Sequence, residues 1–219
     1  MEAMSNHTSF TIPLFGGIPV PQSMVVTWGI MLALVVGSIL CTRRLKPVPG
    51  KVQLVLETFV GFINDFTKNN LGEHWRPYAP YFGTIALYIA CANMAGVFGF
   101  TPPTKDLNVT AALALMSVFL VYGSSFYAKG LKGGLHKFIE PVPILLPINL
   151  LEVGIRPLSL CMRLFGNVLG SFIIMELIKA VVPAVVPMAF SLYFDVFDGV
   201  IQTIVFVFLT TLFTQESLE

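Results

Sequence analysis

Residues 148–182 form an apolar stretch too long for one upright membrane crossing. Its 35 residues would extend ~52 Å as an α-helix, against a hydrocarbon core of ~30 Å. A continuous helix must incline by roughly 55° to stay immersed. Alternatively, Pro157 kinks it and leaves a more ordinary span from Leu158 onward. Within this stretch stands Arg163. An arginine at the centre of a bilayer helix costs ~2.5–3.5 kcal/mol on insertion scales, and it keeps its proton. A charge in that place marks an ion pathway or a paired functional site.

The rest of the chain agrees with a membrane setting. Of its 219 residues, 55% are hydrophobic and 11% charged, where a soluble domain carries about 25% charge. This is a polytopic integral membrane protein. A net charge of +1 leaves no basic face for phosphates, which excludes a nucleic-acid partner. Cys41, Cys91 and Cys161 are far apart and read as small packing residues, without a disulfide or metal role. The leader, residues 1–22, has no Lys or Arg. It therefore lacks the positive region of a signal peptide, and the first apolar run is read as a retained span.

The composition predicts an all-α fold with five membrane-embedded segments, at 23–41, 81–98, 109–127, 148–182 and 188–213. Pro183 and Pro187 break the helix between the last two. Arg43, Arg44, Lys46 and Lys51 follow the first span, and Lys129, Lys132 and Lys137 follow the third. The loop between the second and third spans has only Lys105. The positive-inside rule then puts the N-terminus outside and the C-terminus in the cytoplasm. Residues 50–72 alternate apolar and polar positions at helical spacing. They suit an amphipathic helix at the cytoplasmic interface, or one packed on a soluble partner.

The polar residues of the fourth segment share one face. Glu152, Arg156, Ser159, Arg163, Asn167 and Gly170 recur at spacings of three and four. Ser159, Gly166, Gly170 and Ser171 allow another helix to approach closely. Arg163 is thus expected to face protein or water rather than lipid. In the fifth segment Asp195, Asp198 and Gln202 also fall on one α-helical face. Glu176 and Lys179 lie near the outer end of the fourth, where Lys179 reads as a snorkelling interfacial residue. Two readings stay open: an ion pathway, or an internal pair in which Asp195 or Asp198 holds Arg163 as structural glue.

Some chemistries are absent from the pattern. The chain has no G-x-x-x-x-G-K-[ST], H-E-x-x-H or G-x-S-x-G motif, and His7, His74 and His136 lie outside the apolar runs. Neither a catalytic residue nor a cofactor or metal site is expected. A secondary transporter with an intramembrane Arg/carboxylate pathway is the rival reading, but the two related halves common in transporters are missing.

The run Glu140-Pro-Val-Pro-Ile-Leu-Leu-Pro-Ile-Asn149, then Arg156-Pro-Leu-Ser-Leu-Cys-Met-Arg163-Leu-Phe-Gly-Asn167, resembles subunit a of the F-type ATP synthase. Phe100 to Thr110 and Asp195-Val-Phe-Asp-Gly-Val-Ile-Gln202 resemble that family too. The resemblance implies a non-catalytic stator subunit whose last two segments are long, steeply tilted and set against a rotor ring. It favours inclination over a kink at Pro157. Arg163 would be the family's essential arginine and Gln202 the glutamine facing it, while Asp195 holds a usually titratable position. Many relatives have His or Glu nine residues after the arginine; this chain has Phe172, leaving Glu176 and Asp198 as the available substitutes. The implied outer half-channel is lined by Glu176, Asp195, Asp198 and Gln202, the inner one by Glu152 and Arg156. Implied partners are hairpin c-type ring subunits, peripheral-stalk subunit b and lipid, with H⁺ or Na⁺ as the only ion or small molecule handled. The short leader suits a bacterial plasma membrane.

Overall fold

In the computed structural model, residues 8–12, 18–43, 50–98, 100–136, 146–181, 190 and 192–218 are described. The helices are α1 (Gln22–Thr42), α2 (Lys51–Leu71), α3 (Ala79–Met94), α4 (Leu107–His136), α5 (Leu146–Val181) and α6 (Gly199–Leu218). Among the described residues five stretches are long and apolar enough to cross a membrane: Gln22–Thr42, Ala79–Val97, Leu107–Ser124, Leu151–Ile178 and Val196–Leu218. They overlap the five expected segments, the last beginning at 196 instead of 188. The proline break at 183–187 lies outside the described residues, as does the side chain of Lys179.

Three local features go beyond the sequence reading. Within the leader, Thr8–Ile12 and Ile18–Pro21 pair as an antiparallel hairpin. Thr and Ile are β-branched, and such residues fit a pleated strand better than a helix. Second, α5 runs through Pro157 as one 36-residue helix, ~54 Å at 1.5 Å per residue. Pro157 withholds one amide from the ladder without ending the helix. Third, Tyr193–Asp198 is a π turn leading into α6. Its wider turn changes the phase that an α-helical count assumes between Asp195 and Asp198.

The inward face of α6 is rich in small hydroxylated residues, while α1 is apolar on its exposed side. On α6 the buried positions include Thr203, Thr210, Thr211, Thr214 and Ser217. The four threonines bond carbonyls one turn back at 2.8 Å. Ser217 donates across to the Val121 carbonyl of α4 at 2.8 Å. Hydroxyls satisfied within or between helices need no water, and their small size lets helices approach closely. By contrast, Trp28, Leu32, Val35 and Leu40 of α1 are exposed, and Ser23 is that helix's buried residue. An exposed apolar face of this kind suits lipid or a protein partner.

Two packing groups set the frame. α3 contributes Phe82, Ile85, Tyr88, Ile89 and Ala92 to the core and packs on α1, α2 and α6. α4 lies against both α5 and α6, with Leu113, Ala114 and Val121 buried on it and Leu160, Cys161 and Leu164 on α5. The expected amphipathic helix forms as α2 and uses one face within its own bundle. Ile63, Thr67 and Leu71 are buried, and Phe66 meets Phe208 of α6 with ring centroids 6.3 Å apart. Its N-terminal half leaves Val52, Leu54 and Val55 exposed. Gly72 ends it at φ 56°, the left-handed side that glycine adopts without strain, while its N–H closes on the Lys68 carbonyl.

Candidate functional site

The site begins with how α5 divides its faces. Leu160 and Leu164 are 1% exposed and face the bundle. Ser159, Arg163 and Asn167 are exposed on an adjoining face, flanked by exposed Leu158 and Met162. The middle of the polar stripe is thus open on the outside of the bundle, while Arg156 on the same stripe turns in to Glu216 of α6. Among the described residues Arg163 makes no ion pair within 4 Å, and Asp198 is not bonded to it. The side chain of Asp195 lies outside the described residues. Ser171 donates its hydroxyl to the Asn167 carbonyl at 2.8 Å, so this small residue folds back onto its own helix.

Charge gathers at one end of the stripe. Arg156 donates to Glu152, one turn earlier, at 3.0 Å, and to Glu216 near the end of α6. Its guanidinium also lies 5.2 Å from the centroid of Phe213. Tyr122 of α4 is within electrostatic reach of all three charges. The Arg156 side chain is 12% exposed while Glu152 and Glu216 are 51% and 54% exposed. The arginine is thus a buried hub with two half-solvated acids. Glu216 was missed in sequence, since only an antiparallel α5–α6 pairing brings residue 216 to residue 156.

A second polar assembly sits beyond the other end. Two prolines and a 3-10 turn at Pro103–Lys105 shape the loop before α4. Asp106 caps α4: one carboxylate oxygen accepts the Asn108 N–H at 3.0 Å, and the other accepts the Ser23 hydroxyl of α1 at 2.7 Å. Thr104 is fully buried and donates to Asn93 Oδ1 at 2.9 Å, while Asn93 Nδ2 donates to the Gly199 carbonyl at 3.4 Å. A side chain at Gly199 would bring its Cβ to 3.0 Å from Asn93 Cβ, so glycine lets the two helices approach this closely without displacing Asn93. One loop thereby ties α1, α3 and the start of α6 together, directly beside Asp198. Lys105 completes the assembly, its Nζ 3.4 Å from the ring centroid of Phe172 on α5. Burial lowers the Lys105 pKa below the ordinary lysine value, and the negative charge of Glu176 opposes that shift.

The remaining candidates divide. Glu176 is exposed, Asp198 is half-buried and Gln202 is buried at 6% exposure. Gln202 belongs to the inward face of α6 with Thr203 and Phe206, whereas Arg163 faces out from α5. The structure brings Glu152 and Arg156 together, and among the described residues no hydrogen bond joins Arg163 to Gln202. No cluster of three potential metal ligands occurs among the described residues.

The class so defined is a multi-pass membrane protein with a cation displayed on an outward helix face and polar groups near both ends. The family model for the ATP synthase A chain matches residues 24–215. The ATP synthase subunit a of Moorella thermoacetica is 35% identical over 199 residues, spanning 90% of this chain and 91% of that protein. The chain belongs to the ATP synthase A chain family, the membrane-sector subunit that serves ion transport in ATP synthesis.

Proposed function

We propose that this chain is the non-catalytic stator subunit that couples H⁺ or Na⁺ translocation to rotation of a ring of hairpin subunits, through Arg163. The observation that carries this reading is the exposed Arg163 on an apolar outer face, with charged groups to either side along α5. Glu152 and Glu176 are 24 residues apart, or ~36 Å along the helix, which an inclination of roughly 55° projects to ~20 Å of the ~30 Å hydrocarbon core. Arg163 lies between them. A polar group to either side in depth and one fixed cation near the middle suit two offset aqueous half-channels.

The coupling follows from desolvation and charge. A ring carboxylate facing lipid is kept neutral by the cost of burying its ion. Beside Arg163 the opposite charge favours the ionised form, and the carboxylate releases its ion. Past the arginine it must rebind one. A permanent guanidinium also repels ions that would slip directly between the channels, and such slippage would waste ~2.3 kcal/mol per charge per 100 mV. We assign Glu176, Asp195, Asp198 and Gln202 to the outer half-channel, with Asn167 beside Arg163 on the ring-facing stripe. Glu152 and Arg156 belong to the inner half-channel. The ring and a peripheral-stalk subunit b are the partners this role needs.

The same reading sets topology and place. Basic residues after the first and third spans put the N-terminus outside and the C-terminus in the cytoplasm of a bacterial plasma membrane. A 36-residue α5 then lies steeply inclined, since ~54 Å cannot stand upright in ~30 Å.

The test is Arg163→Ala in the reconstituted complex. ATP-driven ion uptake into vesicles is expected to vanish while the ring still co-purifies. Normal uptake overturns the assignment. Asp195→Asn is expected to slow ion passage on the outer side more than it harms assembly; unchanged flux in an intact complex removes Asp195 from the pathway.

A further inference from the structure

Lys105 is held where a cation would otherwise dock. Its backbone is clamped on both sides: Lys105 N–H donates to the Pro102 carbonyl at 3.0 Å and Asp106 N–H to the Pro103 carbonyl at 3.1 Å. On either side of it, Thr104 donates to Asn93 and Asp106 accepts from Ser23, which fixes the loop to α3 and α1. The ammonium reaches to α5, 3.4 Å above the centre of the Phe172 ring. Glu176 follows Phe172 by four residues, on the same helix face, and its charge acts on Lys105. An aromatic face beside a carboxylate is a binding place for a compact cation, through the ring quadrupole and the negative charge together.

We propose that Lys105 is a tethered counter-ion that occupies the seat between Phe172 and Glu176, so that cations entering from this side compete with it. The inference rests on the half-channel reading above and deepens it. Lys105 does not touch the ring-side transfer: Phe172 lies nine residues past Arg163, or ~14 Å along α5. It is a positioning residue that sets how readily the mouth is occupied, while Arg163 sets what happens at the ring. Phe172, which stands where acids or imidazoles are expected, then has its own purpose as the floor of the seat.

The experiment is ATP synthesis by the whole reconstituted complex under a fixed imposed potential. External pH is varied at fixed Na⁺, and external Na⁺ at fixed pH. Lys105→Gln is expected to lower the external ion concentration at half-maximal rate by about fivefold, the factor carried by one unit-charge repulsion at ~4 Å in water. The maximal rate stays unchanged, and Lys105→Arg keeps the wild-type half-saturation. On a Glu176→Gln background, Lys105→Gln has no further effect, because the seat is already lost. Phe172→Leu, which loosens the ammonium without changing charge, moves half-saturation in the same direction by less. Unchanged half-saturation in both Lys105→Gln and Phe172→Leu, with coupling intact, overturns the proposal. So does loss of assembled complex in place of a shift, since that makes Lys105 a purely structural residue. Failure of the underlying half-channel reading looks different: the Arg163→Ala complex would still be driven.

Discussion

Arg156 and Arg163 stand two turns apart on the same face of α5, and their surroundings are opposite. Arg156 is 12% exposed, bonded to Glu152 and Glu216, and lies beside Phe213. Arg163 is exposed and has no ion pair among the described residues. The same side chain on the same helix is thus an internal tie at one level and an outward charge at the next. A chain tolerates an uncompensated cation within a membrane span only where a partner or water meets it. The contrast sets an arginine tied within the subunit against one that is exposed with no ion pair among the described residues.

Arg163→Ala is the sharpest way to break this comparison. The opposite charge favours ionisation of a neighbouring carboxylate by about 10- to 1,000-fold, and that factor is what ion transfer loses. Coupled pumping should fall to background while the subunit's own thermal stability stays within about 0.5 kcal/mol, since among the described residues Arg163 makes no ion pair. If stability falls and pumping survives, the two arginines have been assigned the wrong way round. Arg156→Gln should show the converse pattern. It leaves Glu152 and Glu216 facing one another without their shared donor, and about 1 kcal/mol of stability is expected to go, the acids being half exposed. Melting of the purified complex measures that loss, and pumping per intact complex should stay well above that of Arg163→Ala.

Much of this was legible in the residues. Apolar run lengths located the spans, and the three-and-four spacing located the polar face, because helix periodicity is a local property. Glu152 and Arg156 were equally visible as stripe positions one turn apart, though not as an ion pair. What escaped were contacts that depend on how distant helices meet. Glu216 reaches Arg156 across 60 residues of sequence, and Lys105 reaches Phe172 from another loop. The π turn at Tyr193–Asp198 escaped for a different reason. One extra residue in a helical turn leaves composition and spacing intact while rotating whatever follows. Gln202 shows the same limit: it is buried on α6 beside the threonines, a placement that its spacing from Asp195 does not give.

The smallest expected effects test what makes Arg156 a tie. Glu152 and Glu216 are almost equally exposed, 51% and 54%, and both bond the same guanidinium. They differ in what they connect. Glu152 is one turn away on α5, so losing it removes a pair of the kind worth about 0.3–0.5 kcal/mol on a helix surface. Glu216 joins α6 to α5, two helices that otherwise meet mainly through α4. Glu216→Gln is therefore expected to cost more than Glu152→Gln, up to about 1 kcal/mol. A double-mutant cycle of each with Arg156→Gln, read by thermal melting of the complex, isolates the two couplings. Equal couplings, or a larger one for Glu152, would mean that Arg156 stiffens a single helix, and the joint between α5 and α6 would then rest on their shared packing against α4 alone.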